Sequence, residues 1–372
     1  MATNHLHEIE ALGQAVWLDN ISRGLIEDGE LQRLVDEDGV TGVTSNPTIF
    51  EKAMGGTDRY DDAFAQVVEA GTDDPREVFF RVGEIDIRDA CDVLSPVFER
   101  TEGQDGYVSF ELPPDVADDA EGSVAMAKRL REEIGKDNVL IKVPGTEAGV
   151  TAFEELTAAG VSVNVTLLFS VERYEEIAEA YVRGLERRYD ADQPIDRISS
   201  VASFFVSRVD SKVDKALDDL GGPAELKGKA AVANAKVAYE SFGRIFSGPR
   251  WEKLAAKGAN VQRPLWASTS VKNPDYKDTL YVDELIGPDT VNTMPDSTIE
   301  AARERATAAR TVDVDVQGAH DVLDRVKEAG VDFDDIVSRQ LVDEGVRSFS
   351  DSFDSLIETI GEKAKELSPA AR

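Results

Sequence analysis

Between residues 138 and 168 the chain reads NVLIKVPGTEAGVTAFEELTAAGVSVNVTLL. Two β-branched runs, 138–144 and 162–168, bracket a spacer long enough for a helix, and strand, helix, strand is the unit of a parallel sheet. Both runs are apolar without alternation, as strands covered on both faces must be. The same cadence continues outward in both directions. AVWLD (15–19), GVTSN (42–46) and YVSFEL (107–112) come before it, and ISSVASFFV (198–206), RPLWAS (263–268) and DTVNTMP (289–295) follow. Eight candidate strands are the number that closes a (β/α)8 barrel. An open doubly wound sheet is the competing architecture, but no GxGxxG follows the first strand. The expected fold is therefore α/β, a (β/α)8 TIM barrel forming one domain over residues 1–372, with extra C-terminal helices from about residue 300 onward. Among the spacers, 51–70, 116–134 (stopped by Gly135) and 170–189 carry apolar residues three and four apart, the helical period. Residues 299–310, 320–329 and 349–367 read as the C-terminal helices, an extra layer around the barrel.

Composition removes several classes of function. Over 372 residues, 41 Lys and Arg stand against 73 Asp and Glu, a formal charge of −32. A chain so acidic would repel nucleic-acid phosphates. Its 41% hydrophobic content supplies a core that an acidic disordered chain lacks. The acid, spread through segments such as 115–121 and 351–354, is expected on a solvated exterior. Cys91 is the single cysteine and His5, His7 and His320 are the only histidines, so neither a disulfide nor a CxxC metal site is available and a Ser-His-Asp triad has little support. No secretory leader and no apolar run of about 18 residues is present, which points to the cytoplasm and to no membrane partner.

In a barrel the reactive groups stand at the C-terminal ends of the strands. The polar residues there are Asp19, Asn46, Glu111, Lys142, Asn164 with Thr166, Ser203 and Ser268, in strand order. Lys142 is the unusual one. Strand alternation puts it on the same face as Leu140, among apolar neighbours. An amine in such surroundings loses hydration that favours its charged form, and a neutral amine can attack a carbonyl to form a Schiff base. Position alone favours a lysine that bends out to water or pairs with a carboxylate.

The flanking sequence adds to this. Gly42-Val43-Thr44-Ser45-Asn46-Pro47-Thr48-Ile49-Phe50 resembles the first transaldolase signature, and the segment from Val139 to Val150, VLIKVPGTEAGV, resembles the second, which surrounds the Schiff-base lysine. The similarity continues through 160–170, 203–208 and 265–268, so most of the chain is covered. The resemblance implies a class I aldolase-type barrel that moves a dihydroxyacetone unit between sugar phosphates in the pentose phosphate pathway. By that resemblance Lys142 attacks the ketose, Glu111 and Thr166 form the acid and water-positioning pair, and Asp19 is the base at the C4 hydroxyl. Asn46, Asn164 and Ser203 hold substrate hydroxyls, and Arg208 holds the phosphate. No metal or organic cofactor is implied, since the lysine is the electron sink. Sugar phosphates are the expected partners, and the oligomeric state stands open between monomer and homodimer.

One stretch departs from the family pattern. Many transaldolases carry an arginine two residues beyond the serine that Ser268 matches, whereas this chain has Ser270 there and its cation at Lys272. We expect Lys272 to supply that charge as a point cation with Ser270 beside it. The related fructose 6-phosphate aldolases tend to carry Gln at the position of Glu111 and Tyr at that of Phe205, so these two residues favour transfer over simple cleavage. The calcium-loop-like run from Asp313 to Asp324 lacks the bidentate Glu at its twelfth position and is set aside.

Overall fold

The computed structural model describes residues 4–367; the ends of the span expected as one domain, 1–3 and 368–372, lie outside the described residues. Eight parallel strands close a barrel in sequence order: β1 (Gln14–Leu18), β2 (Val40–Thr44), β3 (Val108–Glu111), β4 (Val139–Pro144), β5 (Val163–Leu168), β6 (Ser200–Phe205), β7 (Gln262–Ala267) and β8 (Thr290–Met294). β1 pairs with both β2 and β8, which completes the closure. Nearly every strand residue is buried, because helices cover the outer face while side chains fill the interior. Trp17 closes the lower interior, where its indole donates to Asp105 at 2.9 Å. It fits because β2 has glycine opposite: a Cβ at Gly42 would stand 2.4 Å from the Trp17 ring.

The helices differ from the expected boundaries at points with local causes. The span 51–70 is two helices, Pro47–Gly55 and Asp61–Glu69. Gly55 and Gly56 end the first, and Tyr60 turns inward between them to donate to Asp86 at 2.7 Å. The helix expected from 116 begins at Ala120, capped by the Asp119 carboxylate after a single turn at Pro114–Val116. The segment 299–310 is the helix Asp296–Arg305, which follows β8 and packs beside the helix His5–Ala11. It is thus the eighth helix of the barrel and not an addition.

Beyond it, among the described residues, come two long helices, joined by a short helical turn at Phe333–Asp335 and a π-helical segment at Ile336–Gln340. Val316–Glu328 packs on the outer helix Ala230–Ile245. Leu341–Leu367 lies along Pro47–Gly55 and reaches the C-terminal mouth of the barrel. It is a roof over part of the mouth as well as an outer layer. Its Gly345 meets β5 where Leu167 takes a left-handed φ of 61° and the β5–β6 register shifts. Among the described residues, no helix is long and apolar enough to cross a membrane.

Candidate active site

The strand register builds the site. Glu111 pairs with Lys142 across β3 and β4, and Lys142 with Asn164 across β4 and β5, so the three side chains form one row inside the barrel. Lys142 is 4% exposed and Glu111 8%. Its Nζ donates to Glu111 Oε2 at 2.9 Å and to the Ser45 carbonyl at 2.8 Å. The amine therefore stays inside, paired with a carboxylate that is itself enclosed. Asn164 extends the row, donating to Ser109 Oγ at 3.1 Å while accepting from Ser203 Oγ at 2.6 Å. Thr166 lies further up β5, fully buried, and its hydroxyl has no partner among the described residues.

Above this row opens a cavity of about 300 Å³ whose wall includes Lys142, Thr166 and Ser203. Asp19, directly after β1, reaches it half-buried and accepts from Thr44 Oγ1 at 2.7 Å. The helix that begins beyond it is capped by Ser22, which leaves the Asp19 carboxylate free of a capping role. Asn46 does cap a helix: its Oδ1 accepts from the Ile49 N–H at 3.0 Å, and the residue still lines the cavity. Phe205 ends β6 at the wall, with the Arg208 guanidinium 5.2 Å from its ring centroid. Ser268, just past β7, holds a left-handed φ of 55° and bonds to Ser207, Oγ to Oγ at 2.9 Å.

Charge divides the cavity into two regions. Burial raises the carboxyls of both Glu111 and Asp19 above the ordinary range, against the pull of Lys142 and, for Asp19, of the Thr44 hydrogen bond. At the rim stand Arg208, Lys272 and Lys52. Neither Arg208 nor Lys52 has an ion-pair partner among the described residues, and Lys272 donates only to Ser270 Oγ, at 2.6 Å. Burial lowers the affinity of Arg208 for its proton, while Asp19 and Glu111 oppose that loss. Burial lowers Lys272 likewise, with the Arg208 charge acting in the same direction. Cations without carboxylate partners among the described residues, on a chain with 73 acidic residues, form a rim that can attract an anion.

A family model described as Transaldolase/Fructose-6-phosphate aldolase matches residues 16–360. The chain belongs to this family. Transaldolase 2 of Nostoc punctiforme is 46% identical over 381 residues, covering 99% of this chain and 100% of its own. A transaldolase of Parafrankia sp. is 48% identical over 361 residues, covering 96% and 97%. Transaldolase 2 of Streptomyces avermitilis is 43% identical over 371 residues, covering 99% of each.

All eleven residues singled out from the sequence of this family member stand at the mouth or in the row beneath it. Others escaped that reading. Thr44 and Ser109 face inward two residues before Asn46 and Glu111, so the strand period was a signal for them. Ser45 contributes through its carbonyl, which side-chain chemistry does not reveal. Phe349 comes from the C-terminal helix, with its ring centroid 5.9 Å from Lys142 Nζ, and no local pattern announces it.

Proposed function

We propose that the chain is a transaldolase, converting sedoheptulose 7-phosphate and glyceraldehyde 3-phosphate into erythrose 4-phosphate and fructose 6-phosphate through a Schiff base on Lys142, within the pentose phosphate pathway. The observation that carries this is the enclosed pair of Lys142 and Glu111 beneath an anion-receptive rim, in a chain related over full length to proteins named transaldolase. Burial raises Glu111, which brings proton transfer from the ammonium to the carboxylate nearer to balance than in water. The amine then attacks C2 of the ketose, and the carbinolamine loses water as Glu111 returns a proton through a water molecule that the unpartnered Thr166 hydroxyl can hold.

Asp19 has one carboxylate oxygen held by Thr44, while the other has no hydrogen-bond partner among the described residues, and the side chain lines the cavity. It takes the C4 hydroxyl proton as the C3–C4 bond breaks, and the electron pair passes into the iminium to give an enamine. The first aldose phosphate leaves. The enamine carbon attacks the carbonyl of the second, Asp19 returns the proton to the new hydroxyl, and water releases the product from Lys142. Asn46, Asn164 and Ser203 hold the hydroxyls of the three-carbon unit, with Phe205 and Ser268 as walls. Arg208 and Lys272 take the phosphate, Arg208 with a planar fork and Lys272 as a point charge.

A coupled assay for glyceraldehyde 3-phosphate release from fructose 6-phosphate, with and without erythrose 4-phosphate, tests this on the wild type and on Lys142→Met. Release should require the acceptor, and the variant should lose at least about a thousandfold in kcat, as expected when a covalent nucleophile is removed. Borohydride should trap a three-carbon adduct on the wild type only. Free dihydroxyacetone without an acceptor would make the chain a simple aldolase, and no release would exclude both readings.

A further inference from the structure

The loop that carries Lys272 is fastened to the helix that carries Arg208 by contacts that the chemistry above does not use. The helix Ser207–Leu220 presents Asp210 and Asp214 one turn apart, hence on one face. Each carboxylate makes the same pair of bonds. Asp210 accepts from the Tyr281 hydroxyl at 2.9 Å and the Ala231 N–H at 2.8 Å. Asp214 accepts from the Tyr276 hydroxyl at 2.6 Å and the Gly228 N–H at 2.9 Å. The Tyr276 ring rests on Gly228, where an added Cβ would stand 2.8 Å from it. At its other end the loop is held by Ser268, whose carbonyl accepts from the Ser207 N–H at 3.0 Å.

Segment 268–281 is thus tied to one helix at three levels, through Ser207, Asp210 and Asp214, and Lys272 lies between the ties. Arg208 lies in the first turn of the same helix. We propose that Asp210–Tyr281 and Asp214–Tyr276 are positioning pairs that fix the spacing between Arg208 and Lys272, and so tune the rim to a phosphate group. This rests on the reading of Arg208 and Lys272 as phosphate ligands. Lysine supplies a flexible point charge where a planar arginine fork would orient itself, so the loop must provide the precision that the side chain lacks. Neither tyrosine lines the cavity.

The test separates phosphate recognition from chemistry. Tyr276→Phe removes one hydroxyl and keeps the ring on Gly228. Inorganic phosphate, titrated calorimetrically, should bind this variant about three- to tenfold more weakly than the wild type, the worth of one hydrogen bond. The KM for erythrose 4-phosphate should rise by the same factor, with kcat and the KM for unphosphorylated erythrose unchanged. Asp214→Ala should behave alike. Asp214→Asn should restore wild-type values, since its carbonyl can accept from Gly228 and its amide can donate to the tyrosine oxygen. Equal shifts for phosphorylated and unphosphorylated acceptors, or unchanged phosphate affinity in Tyr276→Phe and Asp214→Ala, would overturn the proposal. Borohydride trapping on Lys142 is independent of the loop: a wild type that traps no donor sinks the transaldolase reading, and the phosphate titration still decides on the pairs.

Discussion

The hydroxyl of Thr44 sets the working range of the carboxylate that must act as base. Burial raises Asp19 above the usual aspartate value, and the Thr44 hydrogen bond is the largest of the influences that lower it again. Asp19 takes a proton only when ionised, so kcat/KM must fall as pH drops through its raised value. Thr44→Val keeps the shape and removes the donor, so the ionised form loses support. The acid limb of the kcat/KM profile should then move to higher pH by about one unit, one hydrogen bond's worth to a charged group. The plateau above the limb should change little. A limb that stays in place or moves to lower pH would show that Asp19 does not control it.

Single helices govern the site as well, and the roof contributed by Leu341–Leu367 is the clearest case. Gly345 is buried against β5, and a Cβ there would lie 2.8 Å from Leu167 Cδ2, the mobile end of a side chain. Gly345→Ala should be within about 1 kcal/mol of wild type, since the gain in helix propensity offsets a small displacement of Leu167. Gly345→Leu has no such escape and should cost about 1–3 kcal/mol in urea unfolding. Its kcat should also fall, because the helix that carries Phe349 would be levered off Lys142. Unchanged kcat in a destabilised Gly345→Leu would confine the roof to a structural part. This element also marks the limit of what the sequence discloses. All eight strands were legible because a doubly covered strand is a short apolar run, and the strand-end residues followed from chain direction. The tail was legible as an amphipathic helix, but an amphipathic face does not say what it will cover. The two-helix break at Gly55–Gly56 was missed for a similar reason, since apolar spacing continued across a turn that the inward Tyr60 requires.

At the scale of the whole molecule, net charge and local charge oppose each other. With 73 acidic and 41 basic residues, carboxylates outnumber the cations that could neutralise them, and the compact state gathers them more closely than the unfolded chain does. Surface ion pairs such as Arg76–Asp115 and Arg187–Glu155 recover part of that cost, but exposed pairs are each worth under about 1 kcal/mol. Salt screens both, over a Debye length of about 10 Å at 0.1 M and about 3 Å at 1 M. Repulsion among an excess of 32 negative charges acts over longer distances than contact pairs, so its relief should dominate and the Tm should rise as NaCl goes from about 0.05 to 1 M. The same ions screen Arg208, Lys272 and Lys52 at the rim, where the substrate phosphate must be attracted against that background. The KM for erythrose 4-phosphate should therefore rise over the interval in which the protein becomes more stable, while the KM for unphosphorylated erythrose stays level. Thermal melts and acceptor kinetics on one salt series check both signs. A Tm that falls with salt would mean that the contact pairs outweigh the repulsion, and a flat KM for the phosphorylated acceptor would mean that the rim cations do not hold its phosphate.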